Sequence, residues 1–272
     1  MGDNTDMDLF LKNVPAFTVL HKALLTYIYH FIIFLLILFS LWLVTSNFLI
    51  AAIPGQFLAA SVSTVPFIYI AKNFDKLREK YLKKYPKYPW QHLWYHYSYT
   101  SPFGAAAFYF PLFFISYDFL PSIFDLPTYI VKYKFPFLSS IPLGIFFIII
   151  GLLLVKPSQN HDRDMDVYIS MMKPKNSPII KDGLYQYIRH PRFLSRLIIS
   201  LGFGIIANNI FAIILSITHF LPYYALIRTE DKELIRRYKE EAVDYHRKVP
   251  ALFPKFGNWR RFFRFVVLGG EN

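Results

Sequence analysis

Long apolar segments alternate with short, strongly charged segments along this chain. Residues 23–71 contain no Asp, Glu, Lys or Arg, and further charge-free runs lie at residues 102–117, 135–155 and 197–227. A helix crosses a bilayer with about 20 apolar residues, so the first run is long enough for two crossings. In lipid, every backbone polar group must be satisfied within the spanning structure, which favours helices. The pattern therefore predicts an all-α, polytopic membrane helical bundle.

Turn signals divide these runs into about six spans. The first four spans are expected at residues 23–44, 48–71, 102–117 and 135–155. The second is expected to bend at Pro54-Gly55. The final run, from about Phe193 to Ile227, is too long for one crossing, and Asn208-Asn209 marks its midpoint. We expect a tight helical hairpin here.

A surface amphipathic helix is predicted after the hairpin, at residues 229–250. Its apolar residues recur at helical spacing between charged ones: Leu234, Tyr238, Ala242, Tyr245 and Val249. This pattern is typical of a helix that lies on a membrane surface. Glu230 and Asp231 are expected in its first turn, where the helix dipole favours carboxylates.

Positive charge is distributed unevenly between the connections. Residues 72–100 carry seven Lys or Arg, whereas the turns at 45–47 and 208–209 carry none. Because cytoplasmic loops are enriched in Lys and Arg, both termini and the segment 183–193 are predicted to be cytoplasmic. The sequence does not indicate which membrane is involved. The formal net charge of +12 then reflects contact with anionic lipid, and no nucleic-acid partner is expected.

Metal and thiol chemistry have little support in the sequence. The chain has no cysteine, which excludes disulfides, a thiol nucleophile and Cys-ligated metals. His92 and His96 have the spacing of helical metal ligands, and residues 160–166 carry three Asp. An interfacial aromatic belt and a solvated loop explain these two segments more simply. No metal site is predicted.

The segment "GLYQYIRHPRF" (183–193) places Arg189 and His190 at the mouth of the expected hairpin. The hairpin returns the chain to the same membrane face, where Glu230 and Asp231 follow. Aromatic rings adjoin the cationic pair: Tyr185, Tyr187 and Phe193. This set suits a zwitterionic ligand that carries an additional positive centre. The carboxylates would bind its ammonium, the Arg/His side its carboxylate, and the rings a sulfonium by cation–π attraction.

The ordered motifs "SPIIKDGLYQYIRHPRF" and "ED…L…YKEEAVDYHRKVPALFP" lie between about Ser177 and Phe256. They resemble the membrane methyltransferases of the isoprenylcysteine carboxyl methyltransferase and phospholipid N-methyltransferase superfamily. The resemblance implies that S-adenosylmethionine binds at the cytoplasmic face. The family's cofactor-binding positions correspond to Ser177, Pro178, Ile179, Ile180, Tyr185, Arg189, His190, Pro191, Arg192, Phe193, Glu230 and Asp231.

A single integral membrane domain, residues 1–272, is expected on this basis. It divides into spans one to four (1–155), a cofactor-binding methyltransferase core (156–256) and a basic aromatic C-terminal tail (257–272). The match covers under a third of the chain, so the N-terminal spans are expected to set substrate choice.

The chain departs from the family pattern at several positions. Phe193 stands where Tyr is usual, Ser195 where Gly is usual, and the acidic pair is Glu-Asp rather than Glu-Glu. The prenylcysteine branch has a substrate-binding Arg at the position of Leu226. Arg228 and Arg196 are the candidates to orient a substrate here in its place. Arg196, about one turn into the fifth span, either snorkels to the headgroups or marks the substrate's anionic group.

The expected activity is methyl transfer to a lipid-like or lipidated acceptor that enters from the bilayer. The sequence identifies no general base and no oligomeric state. Three alternatives remain open. They are an NADPH-dependent reductase of the sterol reductase type, whose C-terminal pattern is similar, an isoprenylcysteine carboxyl methyltransferase proper, and a membrane scaffold without the chemistry.

Overall fold

The computed structural model describes residues 20–45, 48–86, 92–93, 104, 107–111, 137–159, 179, 181–208, 210–218 and 220–268. The helices are α1 Leu20–Thr45, α2 Phe48–Lys72, α3 Phe74–Lys84, α4 Phe137–Gln159, α5 Pro191–Ile206, α6 Ile210–Thr218, α7 Leu221–Tyr238, α8 Glu240–Lys248 and α9 Trp259–Leu268. Short 3₁₀ turns lie at Gly183–Gln186 and Phe256–Asn258. All regular structure in these ranges is helical, which confirms the all-α class.

Two helices are long and apolar enough to cross a membrane by length and composition, within Ala51–Lys72 and Ile210–Tyr238. Shorter apolar helices occupy Ile28–Val44 and Ser140–Leu154. The fold of about six spans therefore stays a prediction, and most of the expected third span, 102–117, lies outside the described residues. The second expected span is a continuous helix, α2, which contains Pro54 and Pro66.

The N-terminal helices α1 and α2 pack through small and apolar side chains. Phe34 and Leu38 of α1 are buried in one cluster with Ala52, Ala59 and Ala60 of α2. The alanines allow the two backbones to approach closely, as small residues do at helix interfaces in membranes. This packing presents α2 to α7, its other principal neighbour.

Helices α4 and α5 form the most extensive helix pair described, and glycines lie at their crossing. A Cβ added to Gly202 would lie 2.8 Å from the carbonyl oxygen of Gly144. Two turns away along α4, Ser195 Oγ donates a 2.7 Å hydrogen bond to the carbonyl oxygen of Gly151. Ser195, which stands where glycine is usual in the family that the sequence resembles, is therefore accommodated at the close contact between α4 and α5.

The helical hairpin turns at Asn208, as its sequence predicts. Asn208 has φ 55°, a left-handed conformation that Asn tolerates better than most residues. Helix α5 packs against α6, and Ser216 Oγ donates to the carbonyl oxygen of Ser200 at 2.8 Å. The returning arm is described in two parts, α6 up to Thr218 and α7 from Leu221, with Pro222 in the first turn of α7.

The prediction of one surface helix over 229–250 is wrong. Residues 229–238 continue α7, so Glu230 and Asp231 lie in its third turn and not at a helix start. The break falls at Lys239, which has φ 49° and ends α7 by donating to the carbonyl oxygen of Ile235 at 2.8 Å. The redirected α8 buries Ala242 and Tyr245. The residues of the predicted apolar stripe are therefore divided between α7, which contains Leu234 and Tyr238, and the α8 segment, which contains Ala242 and Tyr245.

Candidate functional site

Arg189 and Asp231 form a bidentate ion pair between the segment before α5 and the third turn of α7. Arg189 Nε donates to Asp231 Oδ1 at 3.0 Å, and Nη2 donates to Oδ2 at 2.7 Å. Both side chains are largely buried, at 11% and 13% exposed. The third guanidinium nitrogen, Nη1, donates to the carbonyl oxygens of Val249 and, at 3.4 Å, His246. This set of contacts, the Arg189 clamp, ties together three parts of the chain.

The Arg189 clamp involves a residue for which a different role was expected. The cationic side of the site was expected to bind the ligand's carboxylate, but all three guanidinium nitrogens of Arg189 are engaged within the protein. A planar guanidinium with fixed donor directions is well suited to such a bidentate pair. The geometry assigns Arg189 to holding the site together.

Backbone hydrogen bonds support the clamp from the same side. Arg189 N donates to the carbonyl oxygen of Pro250 and His190 N donates to that of Ala251, both at 2.9 Å. Tyr245 Oη of α8 donates to the carbonyl oxygen of Tyr185 at 2.7 Å. The two sequence motifs, separated by the hairpin, are therefore paired directly.

His190 lies between the two acidic side chains. Its Nε2 is 2.9 Å from Asp231 Oδ1, and its Nδ1 is 3.5 Å from Glu230 Oε2. The Glu230 side chain is more exposed than that of Asp231, at 21% against 13%. Asp231 is thus directed into the clamp, whereas Glu230 is the more exposed of the two carboxylates beside His190.

An aromatic wall adjoins His190 and carries the candidate substrate cation. The rings of His190 and Phe193 are 5.8 Å apart, and those of Phe193 and Tyr223 are 5.9 Å apart. The guanidinium carbon of Arg196 lies 5.7 Å from the centroids of both the Phe193 and Tyr223 rings. The Arg196 side chain is exposed. It is therefore placed at the open side of the wall.

Arg228 does not join this group. It is exposed, and no contact with the wall is among those seen in the described residues, whereas Leu226 and Ile227 are buried beside Phe193. The structure thus brings Arg196, and not Arg228, to the predicted aromatic rings.

The remaining predicted residues have different surroundings. Tyr185 is buried against α8, Pro191 begins α5, and Arg192 is half-buried on α5. Ile179 is half-buried, while Ser177, Pro178 and Ile180 lie outside the described residues. Of the two rings expected to form the wall, Phe193 lies beside Tyr223 in the described part of the site, and the role of Tyr185 stays a prediction.

His246 belongs to the cluster and was not predicted. Its Nε2 is buried without a hydrogen-bond partner and lies 3.6 Å from Asp231 Oδ1. Burial and the Arg189 guanidinium lower the pKa of His246, so the imidazole is neutral near pH 7. The sequence pattern of residues 229–250 gives no signal that marks His246. Only the redirection of α8 at Lys239 brings it inward.

Comparisons with known proteins match the same region. Residues 139–241 match the family model for phospholipid methyltransferase. The protein-S-isoprenylcysteine O-methyltransferase of Schizosaccharomyces pombe is 23% identical over 130 residues, which are 47% of this chain and 54% of that protein. No solved structure matches the chain.

Two bacterial proteins are also similar. The cobalt-zinc-cadmium resistance protein CzcN of Cupriavidus metallidurans is 34% identical over 87 residues, 32% of this chain and 40% of that protein. The nickel-cobalt-cadmium resistance protein NccN of Alcaligenes xylosoxydans xylosoxydans is 33% identical over 98 residues, 36% of this chain and 46% of that protein. The chain thus spans about half the length, or less, of these curated relatives.

The matched region holds α4, the hairpin, and the Arg189, His190, Glu230 and Asp231 side chains described above. Residues 139–241 therefore belong to the membrane methyltransferase superfamily of the phospholipid methyltransferase and isoprenylcysteine O-methyltransferase type.

Proposed function

We propose that the chain is an integral membrane enzyme that transfers a methyl group from S-adenosylmethionine to a lipid-like or lipidated acceptor at the cytoplasmic membrane face. One observation carries the proposal. Glu230 and His190 lie together beside an aromatic wall, and the Arg189 clamp fixes both of the chain segments from which they come.

The residues present fit the methyl donor. When bound, S-adenosylmethionine supplies an electrophilic methyl group on a sulfonium centre. Glu230 would bind its ammonium by a charge-assisted hydrogen bond, and the Phe193 ring would face the positive sulfur. The buried Nε2 of His246 has no hydrogen-bond partner among the described residues, and a polar ligand in the cluster would satisfy it.

The acceptor would approach from the side of Arg196. Near the beginning of α5, the Arg196 guanidinium lies over the rings of Phe193 and Tyr223. An anionic headgroup could pair with it there while an apolar tail stays in the bilayer. Holding two reactants in line can lower a barrier by about 7–11 kcal/mol. The chain's part in the reaction is this orientation, together with the exclusion of water by Phe193, Phe220 and Tyr223.

The names of CzcN and NccN refer to metal resistance. Within the described ranges there is no group of three or more His, Cys, Asp or Glu arranged to hold a metal ion. Nothing in these residues supports a metal-binding role, and we do not propose one.

Equilibrium binding to the purified protein in detergent tests the proposal, with radiolabelled S-adenosylmethionine and NADPH compared side by side. We expect S-adenosylmethionine to bind and Glu230→Gln to weaken it by about 10- to 100-fold, the usual effect of losing a charge-assisted hydrogen bond. Glu241→Gln is the matched control, because Glu241 is an exposed carboxylate paired with Lys181.

Each other outcome has a defined meaning. Binding of NADPH alone would identify a reductase, and binding of neither would identify a scaffold. Equal weakening by Glu230→Gln and Glu241→Gln would remove Glu230 from the site.

A further inference from the structure

Helix α9 has two different apolar faces. Phe262 and Val266 are buried, at 2% and 3% exposed, and pack against Leu154 near the end of α4. About 100° around the helix from this buried face, Phe263 and Val267 are exposed, at 43% and 58%. Because these two residues are four apart, they form one strip along the helix, which the Trp259 ring extends by stacking on Phe263 at 5.4 Å.

A row of arginines borders this exposed strip. Arg260, Arg261 and Arg264 are all exposed. Arg260 and Arg264 are four apart and lie along one edge of the Phe263–Val267 strip, since residues three and four apart are neighbours on a helix. The arrangement matches a helix in the plane of a membrane interface, with rings in the acyl boundary and guanidiniums among the phosphates.

The sequence around α9 strengthens the preference for an anionic partner. Between Asp244 and Glu271 there is no acidic residue. The basic residues in that interval are Arg247, Lys248, Lys255, Arg260, Arg261 and Arg264. Polybasic segments beside apolar helices are attracted to leaflets that contain anionic lipid.

The position of α9 places this surface at the correct level for lipid. Its partner helix α4 exposes apolar side chains along its length, including Ile145, Phe146, Ile149 and Leu152. α9 packs near the last turns of α4, where the apolar sequence gives way to Lys156 and the following polar loop. If α4 lies in the bilayer, its last turns are at the headgroup boundary, and the Phe263–Val267 strip of α9 lies there as well.

Helix α9 also supports the segment that carries the candidate site. The Tyr187 ring lies 5.9 Å from Phe262 and 6.1 Å from Phe265. Leu184 and Ile188 are buried in the same cluster as Phe262 and Val266. Tyr187 and Ile188 directly precede Arg189 and His190 in the chain. A shift of α9 would therefore move Tyr187 and Ile188, and with them the backbone of Arg189.

We propose that the outer surface of α9 binds the headgroups of anionic phospholipids in the leaflet where the protein lies, and that this docking holds the 183–190 segment in its site-forming position. The first part is independent of the proposed enzymatic function. The second part rests on it, since its consequence is tighter binding of the methyl donor in anionic membranes.

Hydrogen exchange of the full chain in lipid nanodiscs, with one protein per disc, tests the docking. Discs of phosphatidylcholine alone are compared with discs of an equimolar phosphatidylcholine–phosphatidylserine mixture. We expect the α9 amides to exchange at least about tenfold more slowly in the anionic discs, and this difference to shrink as salt is raised.

The variant R260Q/R261Q/R264Q should lose the difference between the two discs. The matched control is K76Q/K80Q/K83Q, which removes the same charge from exposed positions of another basic helix, α3, and should keep it. Equal α9 exchange in both discs, or an undiminished difference in the arginine variant, would overturn the docking. Protection that appears only when two copies share a disc would assign the surface to a second copy instead.

S-adenosylmethionine affinity measured in the same discs separates the two parts of the proposal. We expect several-fold tighter binding in anionic discs for the native chain and no lipid dependence for the arginine variant. Unchanged affinity with lipid-dependent exchange would leave the docking in place and overturn its link to the site. No binding of the methyl donor in any disc, with lipid-dependent exchange, would count against the proposed function alone.

Discussion

The N-terminal helix pair and the region around the Arg189 clamp are stabilised by different kinds of contact. Helices α1 and α2 meet through Phe34, Leu38 and a row of alanines, all apolar and all buried. The clamp region is held by a buried ion pair and by hydrogen bonds to the carbonyl oxygens of Val249, Pro250 and Ala251. The α1–α2 interface therefore depends on how well apolar side chains fill space, and the clamp region depends on the directions of its hydrogen bonds.

This difference determines how each region responds to substitution. Apolar packing tolerates swaps that conserve volume, because many small contacts are redistributed. A buried charge has no such tolerance, since removing one partner leaves the other desolvated and unpaired. The matched family region is therefore expected to be the more sensitive of the two.

The largest effect is expected from Arg189→Ala. The substitution leaves Asp231 without its bidentate partner and the Val249 carbonyl without its donor, so the free energy of unfolding should fall by about 3–5 kcal/mol. Denaturation of the purified protein in detergent measures this. Leu38→Met, a volume-conserving change in the α1–α2 interface, should cost less than about 1.5 kcal/mol.

Arg247→Ala is the matched arginine control for the clamp. Arg247 pairs with Asp244 at 3.5 Å, and both side chains are well exposed, so its loss should cost less than about 1 kcal/mol. If Arg189→Ala were as stable as Arg247→Ala, the buried hydrogen bonds of the clamp would not stabilise the protein more than an exposed ion pair does. The proposed difference between the two regions would then be wrong.

Gly202→Val should have the next largest effect. A Cβ at Gly202 meets the Gly144 backbone and Ile148, so α4 and α5 must separate, at a cost of about 1–3 kcal/mol. Gly257→Ala is the control, because nothing lies within 4 Å of a Cβ at that position. Similar melting behaviour of the two variants would contradict the close approach of α4 and α5.

A smaller, functional effect is expected from Arg196→Gln. Loss of a charged contact to the acceptor should lower kcat/KM for the acceptor by about tenfold or more, with unchanged affinity for the methyl donor. Arg228→Gln removes another exposed cation, one with no described contact to the aromatic wall, and should have little effect. The reverse ranking would place the acceptor on the Arg228 side of α7.

The smallest expected effect is a change in pH dependence at His246. Its pKa is lowered in the folded protein by burial and by Arg189, so the unfolded chain binds more protons below the ordinary value of 6.5. Stability should therefore fall as the pH drops through about 6.5. His190 and Asp231 also face His246: the Asp231 carboxylate raises the pKa of His246 and so partly opposes the shift, whereas His190 adds to the lowering.

His246→Gln should flatten this pH dependence of the unfolding midpoint while Arg189 and Asp231 stay paired. A profile identical to that of the native chain between pH 7 and the lowest pH at which it stays folded would assign the dependence to the other groups of the cluster.

Some of these features follow from local sequence and others do not. The helical class follows from apolar runs, and the turn at Asn208 from a residue that tolerates a left-handed backbone. The association of Arg189, His190, Glu230 and Asp231 follows from the hairpin, which returns the chain to its starting face. These conclusions need only the order of residues along the chain.

The clamp itself depends on contacts that the order of residues does not reveal. Arg189 is satisfied partly by carbonyl oxygens, and every residue has one, so no side-chain pattern marks Val249 as its partner. The break at Lys239 places a non-glycine residue at φ 49°, against the local preference. Tertiary contacts made by α8 and the following segment accompany that break. His246 was not predicted for this reason, and Glu230 was predicted at a helix start that the continuation of α7 from Leu221 removes.

The pairing of residues 189–190 with residues 249–251 also imposes an order on biosynthesis. The partners of Arg189 are about 40 and 60 positions further along the chain, at Asp231 and Val249. The site is therefore completed only after Ala251 leaves the ribosome, which makes its assembly a late event in the maturation of the chain.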